Sequence, residues 1–392
     1  MKSIGINTIH GCQNNYGGAL QCFALYEHLR REGYAVEVID LHRPVDPDYV
    51  DSIRFRRMRT RLTPTVFVKG WVKELTGIRR LRKPAPGPTL NPVARKRFDA
   101  FNARVRLSAP YRSIPALYKR PPHYDVYLAG SDQLWNPTQP YCLEPYFLTF
   151  VRNPKALKLS YGTSIGLSDI TPREKALFRR WLASFDVISV REEQARRLLE
   201  AVTGRTVHRV PDPTFLLDPA DWTGMAVPPA EEGYVLVFDL GHGEHLVQAA
   251  IRIAQATGRR VKVVNQAYAL APHPLVDVVP DAGPLEFIGL IHAAGLVLTN
   301  SFHCTVFSLI TGVRNFYTYI TPEPPGQSRG SRITDLLALY GLSDRVIHST
   351  DELPTPGELA SQAIDRAHTL RVMQQEQQRG RDFLRKAIAI EK

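Results

Sequence analysis

The chain has 392 residues, 44% of them hydrophobic and 22% charged, which excludes a disordered chain or one continuous coiled coil. At roughly 100–200 residues per domain, this length predicts two or three domains. The net charge is +12, yet Arg54 to Arg106 alone holds 16 Lys/Arg against only Glu74 and Asp99, so the cationic character belongs to one segment and not to a surface made for nucleic acid.

The opening MKSIGINTIHGCQNNYGG lacks the apolar stretch of a secretion signal. The longest nearly apolar run, Phe287 to Leu298, is broken by His292 and falls short of the roughly 20 residues of a membrane-spanning helix. Cys12, Cys22, Cys142 and Cys304 form no C-x-x-C pair and no zinc spacing, which predicts free thiols, no metal and a cytoplasmic location.

Ser3 to Ile9 reads as a strand, and a polar turn with Gly17 and Gly18 leads into a helix over Ala19 to Glu32, stopped by Gly33. Tyr34 to Leu41 is a second strand, so the chain opens as a doubly wound α/β sheet. Residues 43–123 are basic and cut by Pro64, Pro84, Pro86, Pro88 and Pro92, and read as an insertion. Strands at Tyr124 to Ala129, Leu157 to Thr163 and Val187 to Val190 complete a first Rossmann-like unit over residues 1–205. A second unit over 206–355 has strands at Tyr234 to Leu240, Val261 to Asn265 and Gly295 to Leu298, with a helix from Glu244 to Thr257. Residues 356–392 read as a helix that packs back across both units.

Three motifs follow strands. Asn14 to Gly18 sits between a first strand and a first helix, where backbone N–H groups can hold an anion or where the glycines serve only a tight turn. Gly130-Ser131-Asp132-Gln133-Leu134-Trp135-Asn136-Pro137 reads either as a capped helix start with a buried Trp, or as a sugar site whose polar side chains meet hydroxyls while the indole stacks on a ring. Leu298 to Ser308 runs from strand into helix and places His303 near a helix N-terminus, as an acid or base or as a packed histidine. Arg329 and Arg332 offer a clamp for phosphate or carboxylate, or are ordinary surface arginines.

In chain order, NNYGGALQCFALYEHL, GSDQLWNP, the YFLTFV and KLSYGTSIG block, DVISVREEQA, VPDPTFLLD, TNSFHCTVFSLITG and SRITDLLALYGLSDR resemble the polysaccharide pyruvyl transferase family over almost the whole sequence. The resemblance implies two Rossmann-like domains in a GT-B-like arrangement, the first on the acceptor side and the second on the donor side. It also implies transfer of pyruvate from phosphoenolpyruvate to a sugar as a cyclic ketal, with no cofactor beyond the donor substrate. On that resemblance His303 is the catalytic acid, and Arg191, Ser301 and Arg332 bind phosphoenolpyruvate; Arg329, from the clamp above, is a further donor candidate. Asn15, Tyr16, Gly17, Ser131, Asp132, Gln133, Trp135 and Asn136 are the acceptor candidates. Cys304 stands where the family usually has glycine, and its Cβ is expected to crowd the phosphate.

Two rival functions share these features: a GT-B-like glycosyltransferase using a nucleotide sugar, and a non-catalytic saccharide- or membrane-binding relative. The segment Arg54 to Arg106 reads either as a solvated helical surface or as a peripheral contact with anionic lipid at the inner membrane face, which would bring the site to a lipid-linked acceptor.

Overall fold

Runs such as VYLA, VLVF and LVLT are buried at every position, the pattern of parallel strands covered on both faces. A computed structural model describes residues 1–42, 91–139, 142–241, 244–264, 270–321 and 330–392. The first sheet contains β1 (Ser3–Asn7), β2 (Ala35–Val38), β3 (Val126–Ala129) and β4 (Leu157–Ser160), in the order β2-β1-β3-β4 and wholly parallel. A short parallel ladder of β5 (Ile188–Val190) and β6 (Val207–Arg209) continues it through bridges at Leu159 to Val187 and Thr163 to Val190.

The second sheet holds β7 (Val235–Phe238), β8 (Val261–Val264), β9 (Val276–Val279), β10 (Leu296–Thr299), β11 (Phe316–Tyr319) and β12 (Val346–Ile347). Its order, β12-β11-β10-β7-β8-β9, is parallel throughout and is the Rossmann strand order. Each sheet reverses direction of growth once, between β1 and β3 and between β7 and β10. Open α/β sheets bind ligands in the crevice beyond the carboxyl ends of such strands.

Helix α1 (Tyr16–Arg31) follows β1 and begins earlier than the expected Ala19, because the Asn15 side chain accepts the Gly18 N–H at 2.9 Å and caps it. Gly33, at φ 86°, ends the connection in the left-handed region. The remaining helices used below are α2 (Pro92–Asn102), α3 (His245–Thr257), α4 (Pro284–His292), α5 (Phe302–Thr311), α6 (Ser331–Leu339) and α7 (Arg366–Ile388).

The two Rossmann-like halves meet through α1, α2 and α4, and the first turns of α1 and α5 pack together, the GT-B-like arrangement expected. Tyr16 stacks on Phe287 at 4.2 Å and donates its hydroxyl to the Ala282 carbonyl at 2.8 Å. Arg97 of α2 bonds Asp281 at 2.8 Å and Glu286 at 3.1 Å. Helix α7 then returns over the junction, where Glu376 takes Arg209 at 2.7 Å, Arg381 donates to the Leu216 carbonyl at 2.7 Å and Lys2 donates to the Ile388 carbonyl at 2.6 Å.

Two expectations change. Val207, placed at the start of the second unit, lies in β6 and pairs with β5 of the first, since a three-residue strand carries too little pattern to assign. The tail is two helices, a short one over Pro356–Ser361 and α7. The described end of the basic segment is amphipathic, as the helical-surface reading expects: Arg95, Lys96 and Arg104 are exposed, Ala94, Phe98 and Phe101 are buried, and Arg97 is paired across the junction. Residues 43–90, with Arg54 to Arg61 of the lipid-contact reading, lie outside the described residues. Among the described residues no helix is long and apolar enough to cross a membrane.

Candidate active site

The carboxyl ends of β1, β3, β6 and β10 converge where α1 meets α5. Ser301 caps α5, its hydroxyl accepting the Cys304 N–H at 3.4 Å, so Phe302 and His303 form the first turn, where unpaired N–H groups and the helix dipole favour negative charge. The first turn of α1 lies against it. A Cβ built on Gly17 would fall 2.0 Å from His303 Nδ1, so only glycine lets the helix backbone approach the imidazole. Two helix N-termini thus flank one histidine.

His303 Nε2 has no hydrogen-bond partner and stands 3.6 Å from Asp212 Oδ2, an ion-pair separation too long for a hydrogen bond. Asp212 is buried and well anchored. Its Oδ1 accepts from Thr214 N at 3.1 Å and Thr214 Oγ1 at 2.8 Å, and its Oδ2 from Arg191 Nη1 at 2.6 Å and Ser131 Oγ at 3.3 Å. Burial alone would raise its pKa, but His303, then Arg191 and the Thr214 N–H outweigh burial and hold the carboxyl well below the usual range. The result is a fixed negative charge facing the imidazole.

Arg191 is buried among carboxylates. Its Nη1 bonds Asp212 and its Nε meets Glu192 at 3.2 Å, while Nη2 stays 3.7 Å from Asp132 and has no hydrogen-bond partner. Burial opposes its charge, but Asp212, Glu192 and Asp132 more than compensate. Burial likewise raises Glu192 above the usual carboxylate range, against the pull of Arg191. The guanidinium lies over the Phe302 ring at 4.3 Å, and Arg332, from the start of α6, approaches the same ring at 5.4 Å. Among the described residues no cluster of three or more His, Cys, Asp or Glu could hold a metal ion.

The structure divides the expected site residues. His303, Gly17, Ser301, Arg191, Arg332, Asp132 and Gln133 gather at the crevice; with its amide oxygen turned to Arg332, Gln133 accepts from both terminal nitrogens, at 3.0 and 3.2 Å. Asn15 is exposed at the α1 cap. Arg329 lies outside the described residues. Four acceptor candidates are committed to protein partners. Trp135 is fully buried, stacked on Phe147 at 5.3 Å with its N–H on the Tyr146 carbonyl at 3.1 Å, so no sugar can stack on it. Tyr16 belongs to the junction, the Ser131 hydroxyl donates to the Gly162 carbonyl at 2.8 Å, and Asn136 is buried, its Oδ1 accepting from Thr138. These are corrections, because an irregular loop gives no periodicity from which to read its inward face. Arg191 is corrected in degree, with Nη2 alone left to meet a ligand. Cys304 packs wholly inside the core, and burial pushes its thiol up to about 12, so its Cβ does not enter the crevice. Asp212 and Glu192 were not singled out from the sequence; only their places in VPDPTFLLD and SVREEQA could have marked them.

The model of the polysaccharide pyruvyl transferase family matches residues 15–320. The chain belongs to this family. The match spans both halves, from the α1 cap through His303 to the end of β11. No curated protein matches the sequence. Among solved structures, a UDP-GlcNAc 2-epimerase from Methanocaldococcus jannaschii is similar at TM-score 0.48 and 12% identity, over 93% of each chain. UGT89C1 of Arabidopsis thaliana, complexed with quercetin, is similar at TM-score 0.47 and 11% identity over 100% of each chain.

Proposed function

We propose that this polysaccharide pyruvyl transferase takes its pyruvyl group from phosphoenolpyruvate and leaves it on a sugar as a cyclic ketal. The observation that carries this reading is His303, held between two helix N-termini with Asp212 Oδ2 at 3.6 Å. An imidazolium there can protonate the C3 methylene of the donor, and the positive helix ends suit its phosphate.

Protonation at C3 makes C2 electrophilic, and a sugar hydroxyl attacks it. Phosphate departs, and a second hydroxyl of the same sugar closes the ketal. Of the two hydroxyl protons released overall, one balances the proton gained at C3 and the other leaves with phosphate. Arg332 and the free Nη2 of Arg191 face the donor carboxylate or phosphate. No step draws on a cofactor.

Incubation with phosphoenolpyruvate and a panel of saccharides tests the reading: one phosphate is released per sugar that gains the mass of pyruvate less one water. Release with no mass gain, or transfer from a nucleotide sugar instead, contradicts it. We also propose a cytoplasmic protein that contacts anionic membrane through Arg54 to Arg106, which fits a lipid-linked acceptor. Sedimentation with anionic liposomes at low salt should carry the protein down and lose it as salt rises over the Debye range. No sedimentation at low salt ends that idea.

A further inference from the structure

We propose that the cavity behind Phe302 seats a single sugar ring of the acceptor, walled by Tyr340, Phe215 and Glu376. The proposal rests on the reading of this chain as a transferase with a saccharide acceptor, and moves that acceptor away from the loop at 131–136.

The cavity encloses about 270 Å³ between the halves, bounded by Asp212 and Phe302 on one side and by Tyr340 and Glu376 on the other. That is below the roughly 300–1,000 Å³ of pockets for drug-sized ligands, and fits one ring. Its charge argues against the donor. Among the described residues five acidic side chains and three arginines line it; Arg191 and Arg332, the donor's arginines, stand at its Phe302 end, and the end at Tyr340 and Glu376 keeps only Arg209, already paired with Glu376 at 2.7 Å, which leaves no cationic excess there for a ligand with both a phosphate and a carboxylate.

Its chemistry argues for hydroxyls. Tyr340 is 1% exposed and Glu376 3% exposed, and the Tyr340 hydroxyl and Glu376 Oε2 both lack a hydrogen-bond partner. Glu376 Oε1, by contrast, takes Arg209 at 2.7 Å and Arg379 at 3.2 Å. Buried polar groups are nearly always paired, so such orphans mark a place where a ligand completes the bonding. A sugar hydroxyl can donate to a carboxylate oxygen and accept from a phenol, whereas a phosphate oxygen offers the carboxylate only repulsion. Phe215 and Tyr340 lie nearly parallel with centroids 6.1 Å apart, which supplies apolar surface for a ring's C–H face. A larger groove of about 690 Å³ shares Glu193 and Arg209 with this cavity, so the rest of a longer acceptor has a path onward along α7.

Saturation-transfer NMR with methyl glucoside, methyl galactoside and methyl mannoside tests the proposal without requiring turnover. At least one should bind the wild-type protein. Ala338→Trp, which fills the cavity from an exposed wall position, should abolish that binding, and Tyr340→Phe, which removes one hydrogen bond, should weaken it about threefold to tenfold. Saturating phosphoenolpyruvate should leave the signal in place. Displacement by phosphoenolpyruvate, binding untouched in both variants, or no binding by any of the three glycosides overturns the proposal. Glycoside binding that behaves as expected in a protein that never releases phosphate would support the sugar seat and refute the transfer chemistry, so the two failures are distinct.

Discussion

Gly17 and His303 are in direct contact across the junction of the two halves: a Cβ on Gly17 would meet the imidazole at 2.0 Å from Nδ1. The glycine is required for space, since its φ is not among the positive ones. Gly17→Ala should therefore displace the ring, and a displacement of about 1 Å lowers turnover on the order of 10²-fold. The helix itself gains from alanine, so the melting temperature should change little. Full turnover in this variant would show that the position of His303 is not critical.

Removing the imidazole separates chemistry from binding. His303→Ala should cost about 10²- to 10⁴-fold in turnover and leave donor affinity near wild type, because a proton-transfer group acts mainly in the transition state. Steady-state kinetics checks this, and wild-type turnover would refute the assignment.

Arg332→Lys keeps the charge and loses the planar fork that faces Gln133 and Phe302. The Michaelis constant for phosphoenolpyruvate should rise about tenfold, with that for the acceptor unchanged. An unchanged donor constant would move the anion seat elsewhere.

His28 of α1 sits buried, and burial lowers its pKa from 6.5 to about 4, with Arg381, Arg31 and Arg385 adding to the effect against Glu32. A basic group with a lowered folded pKa takes its proton in the unfolded chain first. Stability should thus be full above pH 6.5 and fall as pH drops toward 4. A buried neutral replacement, His28→Leu, should flatten the melting temperature over that window. Asp212 acts further into acid: its depressed carboxyl contributes stability above the unfolded value near 3.8, lost as pH falls below it. The stability deficit of Asp212→Asn should accordingly shrink in strong acid.

Elements with local punctuation were legible in the sequence. The opening strand, glycine turn and helix, and the strand at Val261, follow from apolar runs bounded by Gly33 and Gly258. Helix α3 was placed within a residue of its observed bounds. Helix α5 is buried at all ten positions, so no amphipathic stripe marks it, and its cap and preceding strand gave it away. The partnership of His303 with Asp212 was hidden because it joins the turn after β6 to the start of α5, and no spacing rule links residues on separate sheets. Tyr340 and Glu376 were hidden for the same reason, meeting only when α7 folds back over α6.

The most direct test of the transfer chemistry is the mass and methyl NMR signal of the product formed from phosphoenolpyruvate and acceptor in D₂O. Solvent-derived protonation at C3 predicts a pyruvyl ketal carrying one deuterium in its methyl group, at a rate that collapses in His303→Ala. A pyruvylated product without deuterium, or no pyruvylated product at all, would contradict the account.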